Sequence, residues 1–101
     1  MSERFGSFAQ FYPFYLSEHR SRACRRLHFA GSLLVLALVG FAALTRNPWW
    51  LTAAPLAGYG CAWVGHFFFE HNRPATFTNP VYSLAGDWVM FKDILIGRIA
   101  L

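Results

Sequence analysis

His28 and His66 each lie nineteen residues from Asn47, at the centre of the polar break Thr45-Arg46-Asn47-Pro48 that separates two apolar runs. If both runs are helices, the two imidazoles fall at the same membrane depth. Such convergence serves a metal or a haem, whereas a histidine that only packs has no need of it. Glu70 follows His66 by four residues, which puts an imidazole and a carboxylate on one helix face about a turn apart. That pair is a usable edge for a borderline metal, or a ligand with its supporting partner. Blander accounts exist: an ion pair at a helix end, or two histidines that meet lipid phosphate and water at the interface. An ionisable side chain at the edge of an apolar span is costly without a partner, which weights the reading toward function.

The remaining candidates are more conditional. His19 precedes His28 by nine residues, which on one continuous helix turns it to the opposite face. It reaches a common site only if the chain bends, and the expected place is the charge run Arg25-Arg26, where a surface helix would meet the span. His71, five residues after His66, falls off the row and reads as a solvated neighbour of Arg73. Asp87 is read first as an acid at a helix N-terminus and second as a late carboxylate ligand. Cys24 has arginines about it but no recognisable oxyanion-hole turn, so nucleophilic catalysis finds little support. Cys24 and Cys61 form no Cys-x-x-Cys pair, and neither a zinc knuckle nor a disulfide framework is indicated.

The elements that must position these residues follow from composition. In 101 residues, 55% are hydrophobic, 19% aromatic and 14% charged, which suits one small membrane domain over residues 1–101. Phe29 to Leu44 and Trp49 to Phe69 carry no charge, predicting an all-α hairpin with spans at about 27–44 and 49–70. A helix beginning near Pro13 and running through Arg26 is expected on the membrane surface, after an aromatic arm over residues 1–12. In the second span Ala54, Gly58, Ala62, His66 and Glu70 recur every four residues, a small-residue row that lets helices approach closely. Asn72-Arg73-Pro74 ends that helix. The segment from about Ser83 to Leu101 carries a Leu84, Trp88, Phe91, Leu95 stripe, expected as a C-terminal interfacial helix or one packed on the hairpin.

The net charge of +4 comes from residues at the ends of apolar runs. Arg4, Arg20, Arg22, Arg25 and Arg26 precede the first span, and Arg73, Lys92 and Arg98 follow the second. The positive-inside rule therefore puts both termini in the cytoplasm. Anionic headgroups or a carboxylate substrate account for this charge better than nucleic acid does. A cleaved signal peptide is disfavoured, because one apolar run leads into another with no small-residue cleavage pattern.

Three stretches, Tyr15-x-x-x-His19, Cys24-Arg25-x-Leu27-His28-x-x-Gly31 and Gly65-His66-Phe67-Phe68-Phe69-Glu70-x-x-Arg73-Pro74-Ala75, resemble a family of small membrane proteins. It is the family related to the fungal endoplasmic-reticulum 2-hydroxy fatty acid dioxygenase, and the resemblance runs from about Phe11 to Phe91. It implies a membrane enzyme of fatty-acid α-oxidation that uses Fe(II) and O2 to shorten a 2-hydroxy fatty acid by one carbon. His19, His28 and His66 match the family's histidines and Glu70 its acidic position, so all four are implied as metal ligands. The eukaryotic relatives usually carry a second histidine and an asparagine where this chain has Arg20 and Cys24. The chain is similar to a compact bacterial branch, which implies the inner membrane.

A 2-hydroxy acid can chelate iron through its hydroxyl and carboxylate while its tail stays in the bilayer. Arg22, Arg25, Arg26 or Arg73 could pair with that carboxylate. Two other functions compete: a haem held axially by His28 and His66 in an electron-transfer subunit, and a non-catalytic membrane partner. Because two spans rarely enclose a site, a homodimer is expected.

Overall fold

Every regular element in the computed structural model is helical, and the residues it describes are 5–101. Arg4, counted above among the charges before the first span, lies outside them. Helix α1 spans Phe8–Ser17, capped by Ser7, whose hydroxyl accepts from Gln10 N at 3.2 Å. Pro13, expected at the first turn, instead sits inside α1 on its exposed side, where it deletes one backbone bond.

The expected surface helix does not continue to Arg26. Glu18 closes α1, and Ser21 opens α2 (Arg22–Thr45) from an extended backbone, its hydroxyl accepting from Cys24 N. The bend between His19 and His28 thus exists, but at residues 18–21 rather than at Arg25-Arg26. A serine cap supplies the physical reason: it satisfies a free N–H of the new helix, which a pair of arginines cannot.

Helix α2 is 24 residues long, about 36 Å at 1.5 Å per residue. Its best 18-residue window has a mean hydropathy of 2.2 yet is only 22% buried. It is one helix long and apolar enough to cross a membrane. Arg46 ends it in the left-handed region (φ 54°), and the Asn47 side chain accepts from Trp49 N at 3.1 Å, which turns the chain as expected.

The return leg is less regular than a span of 49–70 would be. A 3-10 stretch, Pro48–Thr52, leads into α3 (Ala53–Val64), and a π-helical turn, Gly65–Glu70, follows until His71 (φ 58°) stops it. Helix α3 alone is therefore short, and among the described residues there is one candidate span where the hairpin reading expects two. After a 3-10 turn at Ala75–Phe77, α4 (Pro80–Leu95) packs against α1 and α2.

Helices α1 and α4, with Ala75 between them, build the apolar core. Phe11, Tyr15, Ala75, Met90 and Ile94 are buried together, with Phe8, Tyr12 and Tyr82 packed around them. On α4 the buried face is Ser83, Gly86, Met90, Asp93 and Ile94, not the Leu84, Trp88, Phe91, Leu95 stripe. Gly86 is needed where Tyr15 crosses α4, because the Tyr15 ring would lie 2.9 Å from any Cβ there. The stripe divides: Leu84 and Leu95 are exposed, whereas half-buried Phe91 stacks on Phe29 of α2 and half-buried Trp88 lines a cavity beside it.

Candidate metal centre

The bend at 18–21 brings His19 back over α2, and the π turn carries His66 to the same point. The three imidazoles form a cluster with ring centroids 4.4 Å (His19 and His28), 4.5 Å (His19 and His66) and 5.0 Å (His28 and His66) apart. Their planes cross at 84°, 79° and 88°. All three are buried, and with Cys24 they offer ligand atoms that lie within 4.8 Å of one another. His28 and His66, equidistant in sequence from Asn47, thus meet in space.

Each imidazole has one nitrogen occupied by a protein oxygen. His19 Nδ1 lies 2.6 Å from Tyr15 O, His28 Nδ1 3.0 Å from Cys24 O, and His66 Nδ1 2.7 Å from Asn72 Oδ1. In neutral rings those acceptors place the proton on Nδ1, leaving an unprotonated Nε2 on each. His19 Nε2 and His28 Nε2 are then 3.0 Å apart with lone pairs facing and no proton between them. The ligand atoms of the three imidazoles lie close enough together that they could hold a cation, and imidazole suits iron, zinc, copper and nickel. Burial, with the two neighbouring imidazoles, pushes His19 down to about 2, so it stays neutral and able to ligate.

Glu70 is not in this group. Its Oε2 accepts from Ser21 N at 2.5 Å, holding the first turn of α2. The reason is the π turn: the wider coil rotates residue 70 away from the line of Ala54, Gly58, Ala62 and His66, so four-residue spacing no longer means one face. The carboxylate beside the imidazoles is Asp87, with Oδ1 3.9 Å from His28 Nε2 and 2.5 Å from the Tyr15 hydroxyl, which donates to it. Burial raises the Asp87 carboxyl to about 6, partly opposed by the Tyr15 bond. The Tyr15 hydroxyl is itself raised well above its usual range by burial and by Asp87, and Tyr15 stacks on His19 at 4.1 Å.

Asn72 is the residue that spacing did not single out. Besides holding His66, its Nδ2 donates to Glu18 O at 3.2 Å and Glu18 Oε2 at 3.3 Å. It reads in sequence as a helix stop, and only a π turn after His66 brings it back to the ring. Cys24, set aside as a nucleophile, lies against the site with Sγ 3.7 Å from His28 Nδ1. His71 is exposed and outside the cluster.

The arginines divide. Arg25 donates to His19 O (3.0 Å), Arg20 O (2.8 Å) and Ala100 O (3.1 Å), so its guanidinium fastens the bend. Arg22, Arg26 and Arg73 are exposed. A cavity of about 330 Å³ opens from His28 and Asp87 between α2, α3 and α4, and none of these arginines lines it. Haem has no place between His28 and His66, because His19 fills the gap a porphyrin plane would need.

A family model described as 2-hydroxy-palmitic acid dioxygenase Mpo1-like matches residues 5–99. The chain belongs to the Mpo1-like family. No curated protein and no solved structure matches it. The Mpo1-like match covers all three clustered histidines together with Tyr15, Asn72 and Asp87.

Proposed function

We propose that this Mpo1-like chain is a membrane-embedded, iron(II)-dependent dioxygenase that converts a 2-hydroxy fatty acid and O2 into the fatty acid one carbon shorter, CO2 and water. The observation that carries this reading is the buried cluster of three imidazoles, one of which, His28, lines with Asp87 a largely apolar cavity. The donors fit iron(II): three neutral nitrogens with fixed rings and a carboxylate at the rim. Iron(II) held there supplies electrons for oxygen chemistry and open positions for a chelating 2-hydroxy acid.

The chain's own groups do the rest. His19, His28 and His66 hold the ion, oriented by Tyr15 O, Cys24 O and Asn72. Asp87, with its carboxyl at about 6, is largely ionised at neutral pH yet basic enough to take the proton of the substrate's hydroxyl. Tyr15, protonated, donates to Asp87 Oδ1 and aims the carboxylate. The apolar walls exclude water from the acyl chain.

The membrane disposition belongs to the same proposal. Helix α2 spans, and residues 48–70 return as the second leg, leaving Leu33, Leu34, Leu36, Val39 and Phe41 (46–49% exposed) to lipid. Both termini, with exposed Arg22, Arg26 and Arg73, then lie at the cytoplasmic face, where an acid's carboxylate is gathered. Helix α4 supplies a third wall, so one copy suffices to line the cavity.

The test is metal analysis of protein purified in gentle detergent, with incubation of the iron-loaded protein with 2-hydroxypalmitate under oxygen. Pentadecanoic acid and CO2 in equal amounts are expected, and H66A should abolish both bound iron and product. Bound iron without any chain-shortened acid would remove the reaction and leave the metal site standing.

A further inference from the structure

The cavity that starts at His28 and Asp87 extends to Leu51, and Leu51 also borders a second cavity of about 420 Å³ lined by Val39, Ala42, Ala43, Arg46 and Pro48. Along α2, residues 28, 32, 35, 39, 42 and 46 recur in three- and four-residue steps, so both cavities follow one helix face. Opposite them, Ala54, Gly58 and Ala62 form the other wall of the first cavity. The small-residue row of the second leg therefore leaves a channel beside it.

We propose that Leu51 is the acyl-chain gauge of this protein, the side chain that decides how many carbons beyond the 2-hydroxy acid are accommodated. The inference rests on the fatty-acid reading above and adds the residue that sets its chain length. The occupant is an acyl tail because one end of the first cavity is His28 and Asp87 and, Ser32 and Tyr59 aside, the rest of its lining is apolar. From Ala62 to Leu51 the wall runs about 16 Å at 1.5 Å per residue, and from His28 to Arg46 about 27 Å. An extended chain of roughly 1.5 Å carbon–carbon bonds advances about 1.3 Å per carbon, so about 12 carbons reach Leu51 and about 20 reach Arg46. Longer tails must displace Leu51 to enter the second cavity. Leu51 is 45% exposed, so its replacement does not empty a core.

The deciding measurement is kcat/KM for 2-hydroxy acids of ten to twenty carbons, made with the unaltered protein, L51A and L51W. L51W is expected to lower turnover of the acids longer than about 14 carbons by about tenfold or more while sparing the short ones, and L51A to shift preference toward the longest. Superimposable profiles in all three proteins would overturn the gauge. Should the unaltered protein turn over no acid, the dioxygenase reading falls alone, and the gauge is decided by photolabelling in vesicles. A 2-hydroxyhexadecanoic acid with a diazirine near carbon 12 should mark residues 51–55, and L51W should remove that label. Marking confined to Phe67–Phe69, or equal marking of residues 51–55 by a diazirine alkane with no acid group, would overturn the gauge and give the channel to bulk lipid.

Discussion

Asn72 Oδ1 lies 2.7 Å from His66 Nδ1, while the Asn72 amide nitrogen reaches back to Glu18 at the end of α1. One side chain thus fixes the tautomer of an imidazole of the candidate metal centre and ties it to the segment that carries His19. N72A should weaken iron binding about 10- to 100-fold with the helical content kept, since a partner behind a ligand contributes on that scale. Competition with a chelator gives the affinity, and circular dichroism gives the fold. An N72A protein that binds iron as tightly as the unaltered one would mean that His66 needs no such support.

Tyr15 should act through Asp87 rather than on the metal. Its hydroxyl donates to Asp87 Oδ1, and that bond lowers the carboxyl against the upward pull of burial. Removing it in Y15F lets burial act unopposed, so the acid limb of the kcat/KM profile should move to higher pH from about 6. The loss should be largest below neutral pH and be recovered at alkaline pH, where Asp87 ionises again, whereas removal of the base itself in D87N should cost the ~10²- to 10⁴-fold of an acid–base contribution. D87N should remove the limb altogether with iron content retained. An unmoved acid limb in Y15F would assign Tyr15 to packing alone.

Metal-free protein should lose stability in mild acid. His19 is pushed down to about 2 in the fold against 6.5 when exposed, so between those values the unfolded chain binds the proton and the folded one does not. Stability from His19 is therefore complete above pH 6.5 and is lost as the pH falls from there toward 2. The thermal midpoint of the metal-free protein should decline below pH 6.5, and H19Q should flatten part of that decline. Equal slopes in the two proteins would show that His19 protonates without opening the site.

The sequence carried the paired depth of His28 and His66, because a hairpin about Asn47 needs only two helices of equal length. It carried the need for a bend before His28 but not its place, since the charge run is conspicuous and the cap at Ser21 is a single serine. In sequence Asp87 reads first as an acid at a helix N-terminus, because nothing in spacing says that α4 folds back across residues 72–79 onto Tyr15. The π turn was the hidden step. Four-residue periodicity holds from Ala54 to His66 and lapses at Glu70, and no residue in Gly65-His66-Phe67-Phe68-Phe69-Glu70 announces the wider coil.

That lapse has a measurable consequence at Glu70. Its carboxylate holds Ser21 N, not the metal, so E70Q should keep iron while E70A loses the cap. Losing a charge-assisted bond at a helix start costs about 1–2 kcal/mol, which thermal unfolding would register. Iron stoichiometry near zero in E70Q would instead make Glu70 a ligand in the loaded protein.

Gly65 opens the π turn where it crosses α2, and a Cβ there would sit 2.9 Å from Cys24 Sγ and 3.1 Å from Cys24 Cα. The first clash can be relieved by a shorter side chain at residue 24, but the second is with the backbone and forces the two legs apart. Since Cys24 is one turn from His28 and Gly65 adjoins His66, separation there widens the gap between the two imidazoles. G65A should therefore cost about 1–3 kcal/mol of stability, as overpacking does, and reduce iron affinity as well. Adding C24A should recover only part of both losses, because the clash with the α2 backbone remains. Gly40 on α2 is the control: a Cβ there meets nothing within 4 Å, and G40A should gain up to about 1 kcal/mol from helix propensity with iron binding unaltered. If G65A binds iron like G40A, the close crossing at Cys24 does not set the spacing of His28 and His66.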